Sequence, residues 1–281
     1  MCGRYATTKS AAALTSTSPI RWAGAVTGPA ATARSFGAPA STRVPHAWHS
    51  PHRPTHFAVC QPHSPQVYAV LERRPRGTDS DVAPARQLRA MRWGLVPSWA
   101  KDPSIGNRMI NARLETAAEK PAFRKAFAER RCVLPADGYY EWYTPDEPDA
   151  PKGKNGKPVK QPFFIHRADG TSLAMAGLYE FWRDPTRERD DPLAWLVTTT
   201  ILTTTATDDL GRIHDRAPLL VERDDLHRWL DPDVTDVEGL AGLLVPAAPG
   251  LLEAYPVSTD VNSVKNNDPS LIEPLEHDDA S

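Results

Sequence analysis

Residues 131–143, RCVLPADGYYEWY, decide the fold. Arg131–Leu134 is a short apolar run with strand character, and Tyr139–Tyr143 is a second run crowded with aromatic rings. Between them Pro135, Ala136, Asp137 and Gly138 carry turn chemistry. Farther on, Asn155-Gly156 lies between Tyr139–Tyr143 and Pro162–His166, a strong signal for a hairpin. Working outward, strands are predicted at Val67–Glu72, Arg89–Val96, Leu173–Leu178, Trp195–Leu202, Pro218–Val221 and Ala254–Val257. Helices are predicted at Ala117–Arg130, where Phe123 and Phe127 share a face four residues apart, and at Arg223–Leu230 and Val237–Leu244. Most connections are too short for parallel crossovers. The pattern predicts an α+β fold: a single domain over residues 1–275, on a mainly antiparallel, barrel-like β-sheet with flanking helices. Residues 276–281 form an acidic tail.

Composition narrows the function classes. Apolar residues make up 40% of the 281 and charged residues 24%, the balance of an ordinary globular chain. A net charge of −2 carries no whole-chain nucleic-acid signature, so DNA contact has to rest on local basic clusters. Three cysteines (Cys2, Cys60, Cys132) without a CxxC spacing point to a reducing compartment, and the chain opens with no secretory pattern. Together these predict a cytoplasmic location. No run approaches the roughly 20 apolar residues of a membrane span.

Four segments could carry chemistry. Removing Met1 would leave Cys2 with a thiol and a free α-amine. That amine has a pKa of about 7.7–8.0, so much of it is unprotonated at neutral pH, unlike a lysine amine at about 10.4. Such a 1,2-aminothiol can add to an aldehyde as a Schiff base and then close on the same carbon as a thiazolidine. Glu141, between aromatic neighbours on a predicted strand, is suited to proton transfer if desolvated. His214, between Ile213 and Asp215, could act as a general acid or base. Asn111 and Arg113, ahead of a predicted helix, suit oxyanion or phosphate contact. Each has an ordinary structural reading beside it: a frayed terminus, an exposed strand position, a hydrogen-bonded histidine and a helix cap.

Taken as a set, the motifs are more specific. MCGR at the start, WGLVPSW at 93–99, INARLET at 110–116, RCVLPADGYYEW at 131–142, IHDRAP at 213–218 and VSTDVNSVKN at 257–266 occur in that order. The chain in this respect closely resembles the SOS-response-associated peptidase (SRAP) family, over residues 1–8 and about 67–275. The resemblance implies a DNA-repair protein that senses abasic sites in single-stranded DNA and shields them by a covalent DNA–protein crosslink through Cys2. It also implies autocatalytic removal of Met1. The family's active-site asparagine, glutamate and histidine match Asn111, Glu141 and His214, and Thr203 matches a family position near the DNA. Arg4, Arg113 and Arg216 are the expected phosphate contacts, and Trp99 and Trp142 the expected stacking rings. No metal or organic cofactor is needed, because the substrate carries the electrophile. The acting unit is expected to be a monomer at the bacterial nucleoid. Two other readings stand beside this one: a cysteine peptidase acting in trans with Cys2 and His214, and a non-catalytic single-strand binding module.

Residues 9–66 depart from the pattern. They are rich in small residues and prolines, have no periodicity, and read as loop or disorder by composition. The family's Tyr-Asn-x-Ala-Pro-Thr element is missing where residues 54–62 read PTHFAVCQP, and the family pattern resumes by Tyr68. A block of foreign composition with such sharp limits is what a shifted reading frame would produce. It also gathers six potential metal ligands, His46, His49, His52, His56, Cys60 and His63. Interleaved prolines and a spacing unlike known zinc patterns argue against a physiological metal site.

Overall fold

Alternation of side chains across twelve strands among the described residues sets the architecture. The computed structural model describes residues 5–7, 58–59, 66–74, 81–263 and 265–275. The early strands are β1 (Tyr5–Thr7), β2 (Ala58–Val59), β3 (Gln66–Arg73), β4 (Ala85–Trp93), β5 (Asn111–Arg113) and β6 (Arg131–Ala136). After them come β7 (Gly138–Tyr143), β8 (Gln161–Arg167), β9 (Leu173–Arg183), β10 (Trp195–Thr205), β11 (Arg216–Pro218) and β12 (Leu252–Pro256). The α-helices among the described residues are short: α1 (Leu114–Ala117), α2 (Arg124–Glu129), α3 (Leu226–Leu230) and α4 (Val237–Gly242).

Five strands close into a barrel. β4 pairs with β3, β3 with β6, β6 with β9 and β9 with β10, all antiparallel, and β10 returns to β4 in parallel. β5 and β11 join the far end of β10, the first parallel and the second antiparallel. A second sheet runs in the order β12-β8-β7-β1-β2. The α+β, barrel-like reading of the sequence therefore holds, with β10 adding two parallel pairings to a mainly antiparallel plan.

Side chains of one parity fill the barrel: Val67, Leu71, Met91, Trp93, Leu134 and Met175, joined by Tyr139 and Ile165 from the second sheet. The opposite parity, including Val70, Val133, Ala176 and Leu202, packs outward against Phe123, Phe127 and Trp229 of the helical layer. Phe127 and Trp229 meet edge to face, with centroids 6.0 Å apart. On its outer face the second sheet packs Tyr140 and Phe164 against Val257, Val261 and Leu271 of the C-terminal segment.

Several elements differ from the sequence reading, each for a local reason. Of the expected helix over Ala117–Arg130 only α2 forms, because Pro121 offers no N–H and keeps the preceding residue from helical geometry, and α1 lies ahead of that span and shares Ala117 alone with it. Phe123 and Phe127 still share one buried face. No turn forms at Pro135-Ala136. Both stay in β6, opposite Ala174 and Leu173, and the chain changes sheets at Asp137. β4 stops at Trp93 because Gly94 turns to φ 110, where an added Cβ would lie 2.4 Å from the Gly106 carbonyl oxygen. β11 covers Arg216–Pro218 rather than Pro218–Val221. Leu219 and Val221 nevertheless donate backbone hydrogen bonds to Leu202 and Ala174. Within the 9–66 block, Ala58 and Val59 are strand rather than loop and pair with β1. The acidic tail at 276–281 lies outside the described residues. No helix among the described residues is long and apolar enough to cross a membrane.

Candidate functional site

The site is assembled where β7 faces the β5–β10–β11 corner. On β7, successive side chains alternate between faces. Tyr139 points into the barrel-side core, while Tyr140 belongs to the opposite layer with Phe164. Glu141, two residues beyond Tyr139, therefore shares its face. It is 2% exposed, and burial pushes its carboxyl pKa up to about 7, with Asp215 adding to the rise and Lys160 opposing it. Gly138 makes this strand possible. A Cβ there would fall 2.3 Å from the Phe164 ring and 2.5 Å from the Ile165 carbonyl oxygen.

The other half is built by register. Asn111 lies beside Ile201 and Arg113 beside Thr203 in the parallel β5–β10 pair. Thr203 faces Pro218 and Thr205 faces Arg216 in the antiparallel β10–β11 pair. Asn111, Arg113, Thr203 and Arg216 thus come from three adjacent strands. Arg113 is exposed. Thr203 is 1% exposed, its hydroxyl 3.5 Å from the Ala112 carbonyl oxygen. Arg216 donates to the Thr203 carbonyl at 2.7 Å and is paired with Glu115. That guanidinium draws the Glu115 carboxyl down to about 2.

His214 sits two residues before Arg216. Its Nδ1 lies 3.0 Å from the Arg216 backbone N–H and 3.0 Å from an Asp215 carboxylate oxygen. One nitrogen cannot serve both in one state, since the first contact needs its lone pair and the second needs a proton on it. Desolvation lowers the His214 pKa, with Asp215 opposing, so the neutral ring is favoured. Nδ1 then accepts from Arg216, and Nε2 carries the proton. Glu141 and His214 both feel Asp215 and Lys160, which places the two in one electrostatic environment.

A cavity of about 740 Å³ opens beside this group. Tyr143 and Phe163 line one side, and Thr204, Thr205 and Ile213 the other. Phe163 is the cross-strand partner of Glu141. The cavity therefore begins next to both acid–base candidates, although neither lines it.

The tryptophans are placed apart from this group. Trp142 points to the face of β7 opposite Glu141 and donates its indole N–H to Asn262 at 2.6 Å. Trp99 is 59% exposed, with its N–H 3.5 Å from the Pro121 carbonyl oxygen. Cys2, Arg4, Cys60 and the histidines at 46–63 lie outside the described residues. Cys132 is buried in the barrel 3.4 Å from the Thr199 hydroxyl, and burial pushes its thiol up to about 12, which leaves it inert.

Sequence reasoning assigned no role to Asn262, Lys160 or Asp215, and grouped the Glu115 carboxylate with Asn111 and Arg113 without showing its pairing with Arg216. Glu115 and Asn262 stood inside quoted motifs, but their partners are 101 and 120 residues away in sequence. Lys160, the residue just ahead of β8, carried no local signal.

The profile of the SOS response associated peptidase (SRAP) family matches residues 1–264. The chain is 44% identical over 187 residues to the abasic site processing protein YoqW of Bacillus subtilis, covering 66% of this chain and 76% of that one. It is 34% identical over 230 residues to the abasic site processing protein HMCES of Gallus gallus, covering 74% and 63%. Among solved structures, a protein from Bacteroides thetaiotaomicron superposes with a TM-score of 0.56 at 29% identity, over 67% of this chain and 77% of that one. A phage-related protein from Bordetella bronchiseptica shares the fold, with a TM-score of 0.55 at 23% identity over 91% and 94%. The chain belongs to the SOS response associated peptidase (SRAP) family.

Proposed function

We propose that this chain recognises abasic sites in single-stranded DNA and bonds to them through Cys2 after removing its own Met1. The observation that carries the reading is the register of β1 on β7, in which Tyr5 lies opposite Tyr139, two residues from Glu141. Chain geometry alone keeps the Cys2 Cα within about 11 Å of Tyr5, at no more than about 3.6 Å per residue. That bound leaves an aminothiol at position 2 within reach of a buried carboxyl whose pKa of about 7 suits it to taking and returning protons.

In the proposed sequence His214, neutral at rest, takes up a proton and donates it to the deoxyribose ring oxygen while the ionised Glu141 takes the C1′ hydroxyl proton, so the ring opens to its aldehyde and His214 returns to neutral. The Cys2 amine adds to the aldehyde carbon, and Glu141 shuttles the proton as water leaves. The thiol then adds across the C=N bond, its proton passing to nitrogen, and the thiazolidine closes without oxidant or reductant. Asn111 orients aldehyde and amine by hydrogen bonds. Arg113, being exposed, meets a phosphate directly, with Arg4 as a further contact. Arg216 reaches phosphate only in competition with Glu115, and Thr203 acts through the carbonyl that Arg216 grips. Trp99 stacks on a flanking base from its exposed turn, and Trp142 braces the strand that carries Glu141. In the removal of Met1, water adds to the Met1 carbonyl carbon, Glu141 takes the water proton and passes it to the departing Cys2 nitrogen, and methionine leaves as the free acid. The acting unit is a monomer in the cytoplasm, at the nucleoid.

The test is an N-terminal extension. A chain with extra residues that block exposure of Cys2 is expected to lose crosslinking to abasic single-stranded DNA while keeping non-covalent binding. Crosslinking that survives the extension would place the nucleophile elsewhere.

A further inference from the structure

We propose that the cavity of about 740 Å³ beside Glu141 receives the base of the nucleotide adjoining the abasic residue. The inference rests on the abasic-site reading and names the next part of the substrate that the site holds.

Continuity with the reacting group comes first. Tyr143 shares the face of β7 that carries Glu141, and Phe163 pairs directly with Glu141 across the hairpin. Ile213, on the opposite wall, precedes His214. A sugar held between Glu141 and His214 therefore has the cavity within one nucleotide of it. Size agrees, since small-molecule sites span roughly 300–1,000 Å³.

Wall chemistry gives the same answer. Tyr143 and Phe163 stand edge to face, with centroids 6.5 Å apart and planes at 89°, so they offer ring surface in two directions. Arg212 is exposed at the rim, where a guanidinium can lie over a π-face. Thr204 and Thr205 line it too: the Thr204 hydroxyl donates to Glu115 and keeps lone pairs to accept with, the Thr205 hydroxyl accepts from Arg216 and keeps its proton to donate, and Leu252 supplies an apolar floor. Flat rings, a cation and two hydroxyls, one free to accept and one to donate, take any base without reading which one it is. That suits a protein whose target is defined by a missing base.

The experiment measures crosslinking rate at subsaturating single-stranded DNA carrying one abasic site. The nucleotide on its 5′ or 3′ side is replaced in turn by a tetrahydrofuran spacer, which has neither base nor aldehyde. Wild type is expected to slow about tenfold with the spacer on one of the two sides, the scale of one stacked base. Phe163→Ala, which removes the stacking wall, and Ala248→Trp, which fills the mouth from an exposed loop position, are expected to be slow with ordinary DNA and indifferent to the spacer. Circular dichroism confirms that the variants are folded, and Ala248→Trp tests the idea without touching the core. Rates that ignore both spacers, or folded variants that keep the wild-type response, would overturn the proposal. If wild type forms no adduct, the crosslinking reading fails, and fluorescence anisotropy with the same spacers decides the cavity separately.

Discussion

Arg216 grips Glu115 at two points, Nη1 to Oε1 at 2.7 Å and Nη2 to Oε2 at 3.0 Å. The same Nη2 reaches the Thr203 carbonyl at 2.7 Å, so one guanidinium ties α1 to β10 and β11. A lysine has no planar fork to reproduce this.

Glu115→Gln releases Arg216 for phosphate. Affinity for single-stranded DNA is expected to rise and the salt dependence to steepen by nearly one counterion, read from log Kd against log salt. The wild-type carboxyl, held near 2 by Arg216, contributes stability above its unfolded value of 4.5 that is lost as pH falls through about 2. Glu115 is 46% exposed, so the loss is expected to stay within about 1 kcal/mol. An unchanged salt slope in Glu115→Gln would show that Arg216 makes no phosphate contact.

Glu141 works in the opposite direction. Its folded pKa, about 7, lies above the ordinary 4.5, so between those values the folded chain holds a proton that the unfolded chain has released. Stability from this group therefore falls as pH rises from 4.5 to 7, by about 3 kcal/mol at most. Glu141→Gln is expected to match wild-type stability near pH 4.5 and exceed it at pH 8, while crosslinking slows roughly 10²- to 10⁴-fold, the range of general acid–base contributions. Parallel denaturation profiles at both pH values would mean that the carboxyl is not desolvated.

Gly138→Ala puts a methyl group 2.3 Å from the Phe164 ring. Either β7 or β8 has to shift, at a cost of about 1–3 kcal/mol typical of overpacking. Chemical denaturation reads the loss, and a variant as stable as wild type would show that Phe164 has room to turn.

Arg131 is 2% exposed and acts as a clamp on two helix ends. It donates to the carbonyls of Phe127 and Ala128 at the end of α2, and to those of Trp229, Asp231 and Val234 around the end of α3. Burial draws its pKa down to about 10. Arg131→Met leaves these carbonyls without their donor and is expected to cost at least about 3 kcal/mol. A loss below about 1 kcal/mol would mean that water replaces the guanidinium.

Much of this arrangement is legible in the sequence, and the illegible part has a physical pattern. Strands such as Gln66–Arg73 and Gly138–Tyr143 announce themselves by composition, and Gly156 at φ 72 bears out the Asn155-Gly156 turn. The burial of Glu141 follows from alternation beside Tyr139. Partners across long sequence distances do not show, because nothing local to Arg216 or Trp142 indicates Glu115 or Asn262. Pro135 misleads for a related reason: its turn propensity yields to pairing with β9. Trp142 reads as a neighbour of Glu141 in sequence, yet one step along a strand turns it to the other face.

The most direct test of the central claim is the intact mass of the full chain before and after incubation with single-stranded DNA carrying one abasic site. The account predicts a chain lacking Met1 and a stable adduct of protein plus DNA, absent in Cys2→Ala. A folded chain without Met1 that gains no mass, or an adduct that persists in Cys2→Ala, would contradict it.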